Sequence, residues 1–321
     1  MSGNKSKMNQ QGKGGKEEGK SSIVPFDDIK TKTGQEILDL FEVVFKDQLQ
    51  SEQLYDQIQL IKQQLYERNY LEAFGDGTRN KFYMARWSPS RALAYASIFS
   101  YLEEVYHLLT SIKTSEDNLV NCLSIGGGAG GEFVGIASVF SRMMENSANI
   151  GSKKVKVNIV DISDWHDGLK DIFGYIDTNW LVGSSDLSYT FDKRDILQMG
   201  VEELGLASQN FITSLFTTNE LFRENKVEAI RFLQKLNKYC IKGCYFLIVE
   251  SAGSFSHIDI GSKTFPIQFL IDTILTGKPG EDGSWELINR DDSCWFRIEK
   301  HLNYSMKLEN MRFFYRLYRK C

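Results

Sequence analysis

Residues 126–131 read Gly-Gly-Gly-Ala-Gly-Gly, between the apolar run Leu123-Ser124-Ile125 and the amphipathic stretch that Glu132-Phe133 opens. Glycine lets the backbone turn sharply and lets a ligand approach the main chain closely, and a helix starting just after the turn offers unpaired N–H groups. Gly126, Gly127, Gly128 and Gly130 are therefore expected to cradle a nucleotide. A tight turn with no ligand is the plainer alternative, although six small residues in a row at a strand end are costly without a reason.

Two nucleotide cofactors satisfy that turn. The spacing of Gly126, Gly128 and Gly131 matches the dinucleotide fingerprint, so the loop leaves S-adenosylmethionine (SAM) and NAD both open. One crossover later, Asn158-Ile159-Val160-Asp161-Ile162 is an apolar strand ending in a carboxylate, and Asp161 can accept from both ribose hydroxyls, with Ile162 beside it. The polar stretch 145–154 accounts for the long gap between glycines and acid. Alternatively, Asp161 or Asp164 caps the helix that begins near Trp165. After the next strand, Asp195 could accept from an adenine amino group with Ile196 against the ring, or be a solvated turn residue.

The segment Phe216-Thr217-Thr218-Asn219-Glu220 lies where an open α/β sheet presents groups to substrate, and Phe216 is expected at the cofactor. It carries neither the Asn/Asp-Pro-Pro-aromatic run typical of amino-group methyltransferases on adenine or cytosine nor the cysteine that pyrimidine C5 methylation needs. Glu220 is a candidate general base; its bland alternative is a first-turn helix carboxylate. Glu250 is a second candidate. The polar loop after it, with Ser251 and His257, is expected to form a substrate wall together with Asn219, the lone His257 reading alternatively as a structural residue.

The elements that must position these groups read as an α/β fold. Short apolar segments 119–125, 155–162, 187–191, 211–216 and 245–249 alternate with helical ones, as in a parallel sheet with crossover helices. A final strand within 308–320 follows without a helix signal, which fits an antiparallel hairpin strand. On it Arg312, Phe314, Arg316, Tyr318 and Lys320 share one face, either stacking bases and phosphates or packed under helices. Residues 253–293, with one short helix over 267–275, are expected as an insertion.

Ahead of the sheet, Ile37, Leu40, Phe41, Val44 and Phe45 repeat at helical spacing, as do Leu54, Ile58, Ile61 and Leu65. Ser88 is expected to cap, and Pro89 to open, a buried helix reaching about Ile112. The division expected is a basic tail over 1–22, with five lysines, then a helical region over 23–114 and the catalytic domain over 115–321.

Composition excludes wholesale disorder: 42% of residues are hydrophobic and 25% charged. A net charge of -4 gives no global pull on nucleic acid, so an RNA partner would need a local basic surface. Five scattered cysteines lack zinc-ligand spacing, so no metal is expected and the thiols read as reduced. No run is long and apolar enough for a bilayer, so no membrane role is expected.

The segments Asn69-Tyr70-Leu71-Glu72-Ala73-Phe74-Gly75, Ala85-Arg86-Trp87-Ser88-Pro89-Ser90-Arg91-Ala92-Leu93-Ala94-Tyr95 and 308–320 carry a resemblance. From about residue 35 to 321 the chain resembles the fungal 25S ribosomal RNA uridine-N3 methyltransferases, the smaller type with Arg-Trp-Ser-Pro-Ser-Arg. The resemblance implies a Rossmann-like class I methyltransferase: a seven-stranded, mostly parallel sheet with an antiparallel C-terminal strand and an N-terminal helical extension. It further implies SAM as cofactor, large-subunit ribosomal RNA or a pre-ribosomal particle as partner, and work in the nucleus or nucleolus, with the cytoplasm as another site. Arg86 or Arg91 would then bind the SAM carboxylate or an RNA phosphate. A methyltransferase acting on protein or a small molecule, an NAD-dependent oxidoreductase, and a non-catalytic ribosome-assembly protein remain open as alternatives.

Overall fold

The structure is a computed structural model describing residues 22–67, 69–112, 118–146, 153–181, 184–253, 257–260, 263–277 and 284–321. Most of the expected basic tail, the 147–152 part of the polar stretch, Ser254, Phe255, Ser256 and the Pro279-Gly280 turn lie outside the described residues.

Helices come first. Thr33 closes a capping box with Glu36, its hydroxyl accepting from the Glu36 N–H at 3.2 Å while Glu36 Oε2 accepts from the Thr33 N–H at 2.7 Å. That cap starts α1 (Gly34–Val44), which buries Ile37, Leu38, Leu40 and Phe41. The short α2 (Lys46–Leu49), α3 (Leu54–Tyr66) and α4 (Tyr70–Phe74) follow. Next comes α5 (Gly77–Tyr101), buried along most of its 25 residues, and then α6 (Glu103–Thr110).

The expected helix start at Ser88-Pro89 is overturned, because α5 begins at the Asp76 cap and runs through Pro89. Proline has no N–H for the carbonyl four residues back. Here the Tyr304 hydroxyl donates to that carbonyl, Ala85 O, at 2.5 Å. The Ser88 hydroxyl donates to Ala129 O at 2.6 Å, tying α5 to the glycine turn. Nor does one helix reach Ile112: the chain turns extended at Leu102, dividing α5 from α6.

A short parallel edge strand, β1 (Ser22–Ile23), precedes these helices. The sheet proper is built from β2 (Leu119–Ile125), β3 (Lys154–Asp161), β4 (Leu187–Lys193), β5 (Phe211–Leu215) and β6 (Tyr245–Ser251), all parallel. Crossovers run through α7 (Gly131–Asn146), α8 (His166–Asn179), α9 (Val201–Leu204), and α10 (Thr218–Glu224) with α11 (Lys226–Tyr239). A two-stranded hairpin, β7 (His257–Ile260) and β8 (Lys263–Pro266), leads into α12 (Ile267–Thr276). Last come β9 (Trp285–Phe296) and β10 (Met311–Lys320).

Strand order is β4-β3-β2-β5-β6-β10-β9-β1, with β10 antiparallel to both of its neighbours. The mostly parallel sheet with an antiparallel C-terminal strand is thus as expected, but it has eight strands rather than seven. The additional one is β1, two residues that pair with Cys294 and Trp295. The expected insertion is also shorter than 253–293, because residues from Trp285 onward already belong to β9.

One face of the sheet packs against α1, α5, α7 and α8 in a continuous apolar core holding Phe41, Phe99, Phe133, Phe140 and Ile172. The opposite face packs against α11 and α12 through Phe232, Leu236, Ile271 and Phe314. Lying inside the sheet, β10 buries Phe314, Arg316 and Tyr318. Arg316 pairs there with Asp292 and Asp272, so that face is packed rather than offered to bases. Strand order reverses between β2, which leads on to β3, and β5 on its other side; this switch point is where open α/β sheets bind ligands.

Candidate active site

The turn at the switch point is tied to its surroundings on every side. Gly126 donates to Val160 O at 2.8 Å and holds φ +69°. A Cβ on Gly126 would come within 2.5 Å of the Thr217 side chain. On Gly127 it would lie 1.9 Å from Ser124 Oγ, and on Gly128 1.9 Å from Trp165 Cδ1. Gly130 holds φ +82° and α7 begins at the next residue. Glycine at these positions is thus required by close packing as well as by backbone angle.

Asp161 ends β3 beside this turn. Its Oδ2 accepts from the Gly128 N–H at 3.0 Å and its Oδ1 from the Ser163 N–H at 2.9 Å. A carboxylate has about four lone-pair positions, so acceptor capacity remains for ribose hydroxyls. Burial raises its pKa, opposed by the Ser163 N–H and other donors around it. The buried indole N–H of Trp165 faces this carboxylate without a well-formed hydrogen bond. Asp164 accepts from the His166 N–H at 3.2 Å in the first turn of α8.

Arg91 projects from α5 between rings: its guanidinium carbon is 5.7 Å from the Tyr83 centroid and 5.9 Å from that of Phe216. Among the described residues it makes no ion pair within 4.0 Å. Burial works against its charge, but the guanidinium stays charged with the Tyr83 side chain and the Glu220 carboxyl beside it. Arg86 is differently placed, buried and paired with Glu309.

Phe216 lies just past β5 at φ +59°, alone among the described non-glycine residues in the left-handed region. Such strain in a bulky residue persists only where its surroundings over-determine it. The Phe216 N–H donates to Val249 O at 2.7 Å, and its ring meets Tyr95 and Phe313 at centroid distances of 6.4 Å.

The two candidate bases differ. Glu250 is buried at the end of β6, accepting from the Asn219 N–H at 3.0 Å and the Ser251 N–H at 2.8 Å. It pins the loop before α10, and burial raises its pKa against those donors. Glu220 keeps solvent contact although protein surrounds it, as a cleft wall would. Those surroundings push its carboxyl up to about 7, with Arg91 pulling down and Glu250 and Asp161 pushing up.

Other expected site residues lie around this centre. Ile162 is half exposed next to Asp161. Asp195 caps a 3-10 turn by accepting from the Leu197 N–H at 2.9 Å, and Ile196 is packed in the core on the α11 side. Ser251 borders a small cavity shared with Gly253, Gln268 and Asp292. His257 opens β7 opposite Pro266.

Sequence reasoning missed Glu132, Trp165, Tyr83 and Tyr95. Glu132 reads as an ordinary first-turn acid, yet it is buried, and its Oε2 accepts from both Ser124, at 2.6 Å, and Thr213. The three aromatics look like helix-face core; Tyr83 in fact stacks on Trp87 and meets Phe74 edge-on, and Trp165 lies tilted against Phe74 and Tyr83 beside the turn.

These groups suit SAM: N–H donors at the start of α7, the Asp161 carboxylate for hydroxyls, the Arg91 guanidinium for a carboxylate, and rings for an adenine or a sulfonium. Among the described residues no group of acids, histidines and cysteines could hold a metal, and no helix is long and apolar enough to cross a membrane.

Known proteins agree with this chemistry. A family model described as "Putative SAM-dependent methyltransferase" matches residues 41–319. The chain is 42% identical over 328 residues to the 25S rRNA (uridine(2843)-N(3))-methyltransferase of Saccharomyces cerevisiae, covering 94% of this chain and 89% of that protein. Among solved structures it is similar to the N-methyltransferase NodS from Bradyrhizobium japonicum WM9, with TM-score 0.34, 12% identity, and 68% of this chain and 95% of that one covered. A SAM-dependent methyltransferase from Methanosarcina mazei gives TM-score 0.38, 11% identity, and coverage of 64% and 93%. The family match spans nearly the whole sheet and the helix α5 that carries both Arg91 and Tyr83, and the chain belongs to this family of SAM-dependent methyltransferases.

Proposed function

We propose that this protein methylates N3 of a uridine in large-subunit ribosomal RNA, on RNA or a pre-ribosomal particle in the nucleus or nucleolus. One observation carries the reading: 42% identity along nearly the full length of both chains to a yeast protein named as a 25S rRNA uridine-N3 methyltransferase.

Bound SAM supplies an electrophilic methyl group on a sulfonium. The residues of the chain do the rest. Asp161 takes the ribose hydroxyls and Arg91 the terminal carboxylate, which fixes the line of attack; orientation of this kind is worth several kcal/mol of barrier. N3 of uridine lies on the pairing edge, so the base enters unpaired or flipped. The imide proton must leave for the nitrogen lone pair to attack, and the Glu220 carboxylate at the cleft wall receives it. Glu250 positions that wall through the Asn219 N–H. The lack of an Asn-Pro-Pro-aromatic run and of a cysteine in residues 216–220 agrees with this acceptor, which needs neither an amino clamp nor a ring adduct.

The test is transfer of labelled methyl from SAM to large-subunit RNA from cells lacking this protein, with nucleoside analysis and a Gly128→Arg control. Label in N3-methyluridine that the control loses is the expected result. SAM binding with no label in free RNA or in pre-ribosomal particles would overturn the RNA reading and point to a protein or small molecule.

A further inference from the structure

Beneath the glycine turn lies a carboxyl group that the mechanism above does not use. Glu132, in the first turn of α7, is 2% exposed and directs both neighbouring hydroxyls, Ser124 and Thr213, onto one oxygen, Oε2. Its Oε1 is buried without a well-formed hydrogen bond, and the Leu215 N–H also faces the carboxyl. A Cβ on Gly127 would lie 3.4 Å from the Glu132 carboxyl carbon, so this group sits directly under the turn, between β2 and β5 at the switch point.

An ionised carboxylate spreads its charge over both oxygens, and leaving one of them dry and unpaired costs far more than leaving a neutral O–H there. The asymmetry of the site therefore matches a carboxylic acid, with Oε2 as the accepting carbonyl oxygen and Oε1 as the protonated one. Asp161 from β3 and Tyr95 from α5 face this group, and neither offers it a positive charge. Arg91, Glu220 and Glu250 complete the cluster around Tyr95 and Asp161, with the one guanidinium facing Glu220 and Glu250 rather than Glu132.

We propose that Glu132 holds a proton at Oε1 while the cleft is empty and releases it when the cationic methyl donor binds, which makes SAM binding proton-linked and favours SAM over its neutral-sulfur product. Only the charge of the donor changes this balance. A sulfonium arriving at the switch point acts on a buried carboxyl through a weakly screening interior, where Coulomb terms are large. After methyl transfer the sulfur is an uncharged thioether, the attraction is lost, and Glu132 takes a proton back. Burial already pushes this carboxyl up to about 7, against the pull of Ser124, Thr213 and the Leu215 N–H, so the exchange falls near neutral pH. Because binding lowers the pKa, affinity tightens as pH rises.

This inference rests on SAM as the bound donor. Its test is isothermal titration of the full-length protein at pH 7 with SAM and with S-adenosylhomocysteine, in buffers of low and high ionisation enthalpy. Proton release with SAM, less with the product, and loss of a large part of that release in Glu132→Gln are expected. Native SAM affinity should also rise about tenfold from pH 6 to pH 8, and this rise should flatten in Glu132→Gln. Saturable heat with no proton release, or release unchanged in Glu132→Gln, overturns the inference while leaving SAM as donor. No saturable heat with either ligand overturns the donor itself.

Discussion

The hydroxyl of Tyr304 donates to the backbone carbonyl of Ala85 at 2.5 Å, a contact between residues 219 apart in sequence. That carbonyl is the one Pro89 leaves without its helical N–H. The β9–β10 connection therefore completes the hydrogen bonding of α5, the helix that carries Arg86 and Arg91. Glu309 adds to this by pairing with Arg86 and donating its N–H to Ser90 Oγ at 3.0 Å.

Tyr304→Phe is expected to cost roughly 1–3 kcal/mol, the penalty for a buried carbonyl left unpaired. In a Pro89→Ala background the restored N–H serves Ala85, so the same substitution should cost less. Chemical denaturation of the four proteins of this cycle measures the coupling, and additive costs would refute the link.

Arg91→Ala should weaken SAM and S-adenosylhomocysteine binding about 10- to 100-fold, because a charge-assisted contact is worth about 1.5–3 kcal/mol. Arg91→Lys should recover only part of this, since an ammonium does not present the planar fork of the guanidinium. Calorimetry reads both. Unchanged affinity for SAM and for RNA would remove Arg91 from the site.

Glu220→Gln should lower kcat by about 10²- to 10⁴-fold with little change in SAM affinity, as loss of a general base does. The base works ionised, so the native rate should rise with pH through about 7 and level off above it. A pH-rate profile that keeps this shape in the variant would assign the step to another group.

Gly128→Ala should abolish SAM binding, since its Cβ would meet Trp165 Cδ1 at 1.9 Å. Combining it with Trp165→Ala frees that space and should recover the fold, as read by circular dichroism, without full affinity, because the buried Trp165 ring also supports the turn. Recovery of full affinity would show that Trp165 only packs.

Glu132→Gln should stabilise the empty protein above neutral pH. The carboxyl has its pKa raised in the folded state from 4.5 to about 7. Ionisation is therefore disfavoured by folding, and stability is lost as pH climbs from about 4.5 to about 7 and is constant beyond. The difference is at most roughly 3 kcal/mol. Melting temperatures of variant and native should coincide at pH 4 and diverge at pH 8; equal divergence at both would contradict the assignment.

Much of this architecture was legible in sequence because parallel strands buried on both faces read as continuous apolar runs. The inner strands β2, β5 and β6 carried that signal, and the glycine turn and Asp161 stood at the ends of apolar strands. The strand β9 did not, since Asn289, Arg290, Asp291 and Asp292 interrupt its apolar residues and resemble a loop. Two residues of β1 are too few for any period. Pro89 signalled a helix start because its usual cost in a helix interior is offset here by a tyrosine that sequence separation hides. Glu132 escaped for a related reason: its inward partners Ser124 and Thr213 come from two strands that only the sheet order makes adjacent.

The position of β10 has a consequence for synthesis. Its Met311–Lys320 segment sits between β6 and β9, pairing with both, although it is made after both of them. While the nascent chain is still being translated, β6 presents an unpaired apolar edge to the cell, and such edges invite association with other chains. The glycine turn and β2 to β5 can assemble before that, but the sheet closes only once β10 has been made. A premature stop ahead of β10 should therefore yield an aggregation-prone protein rather than a shortened enzyme.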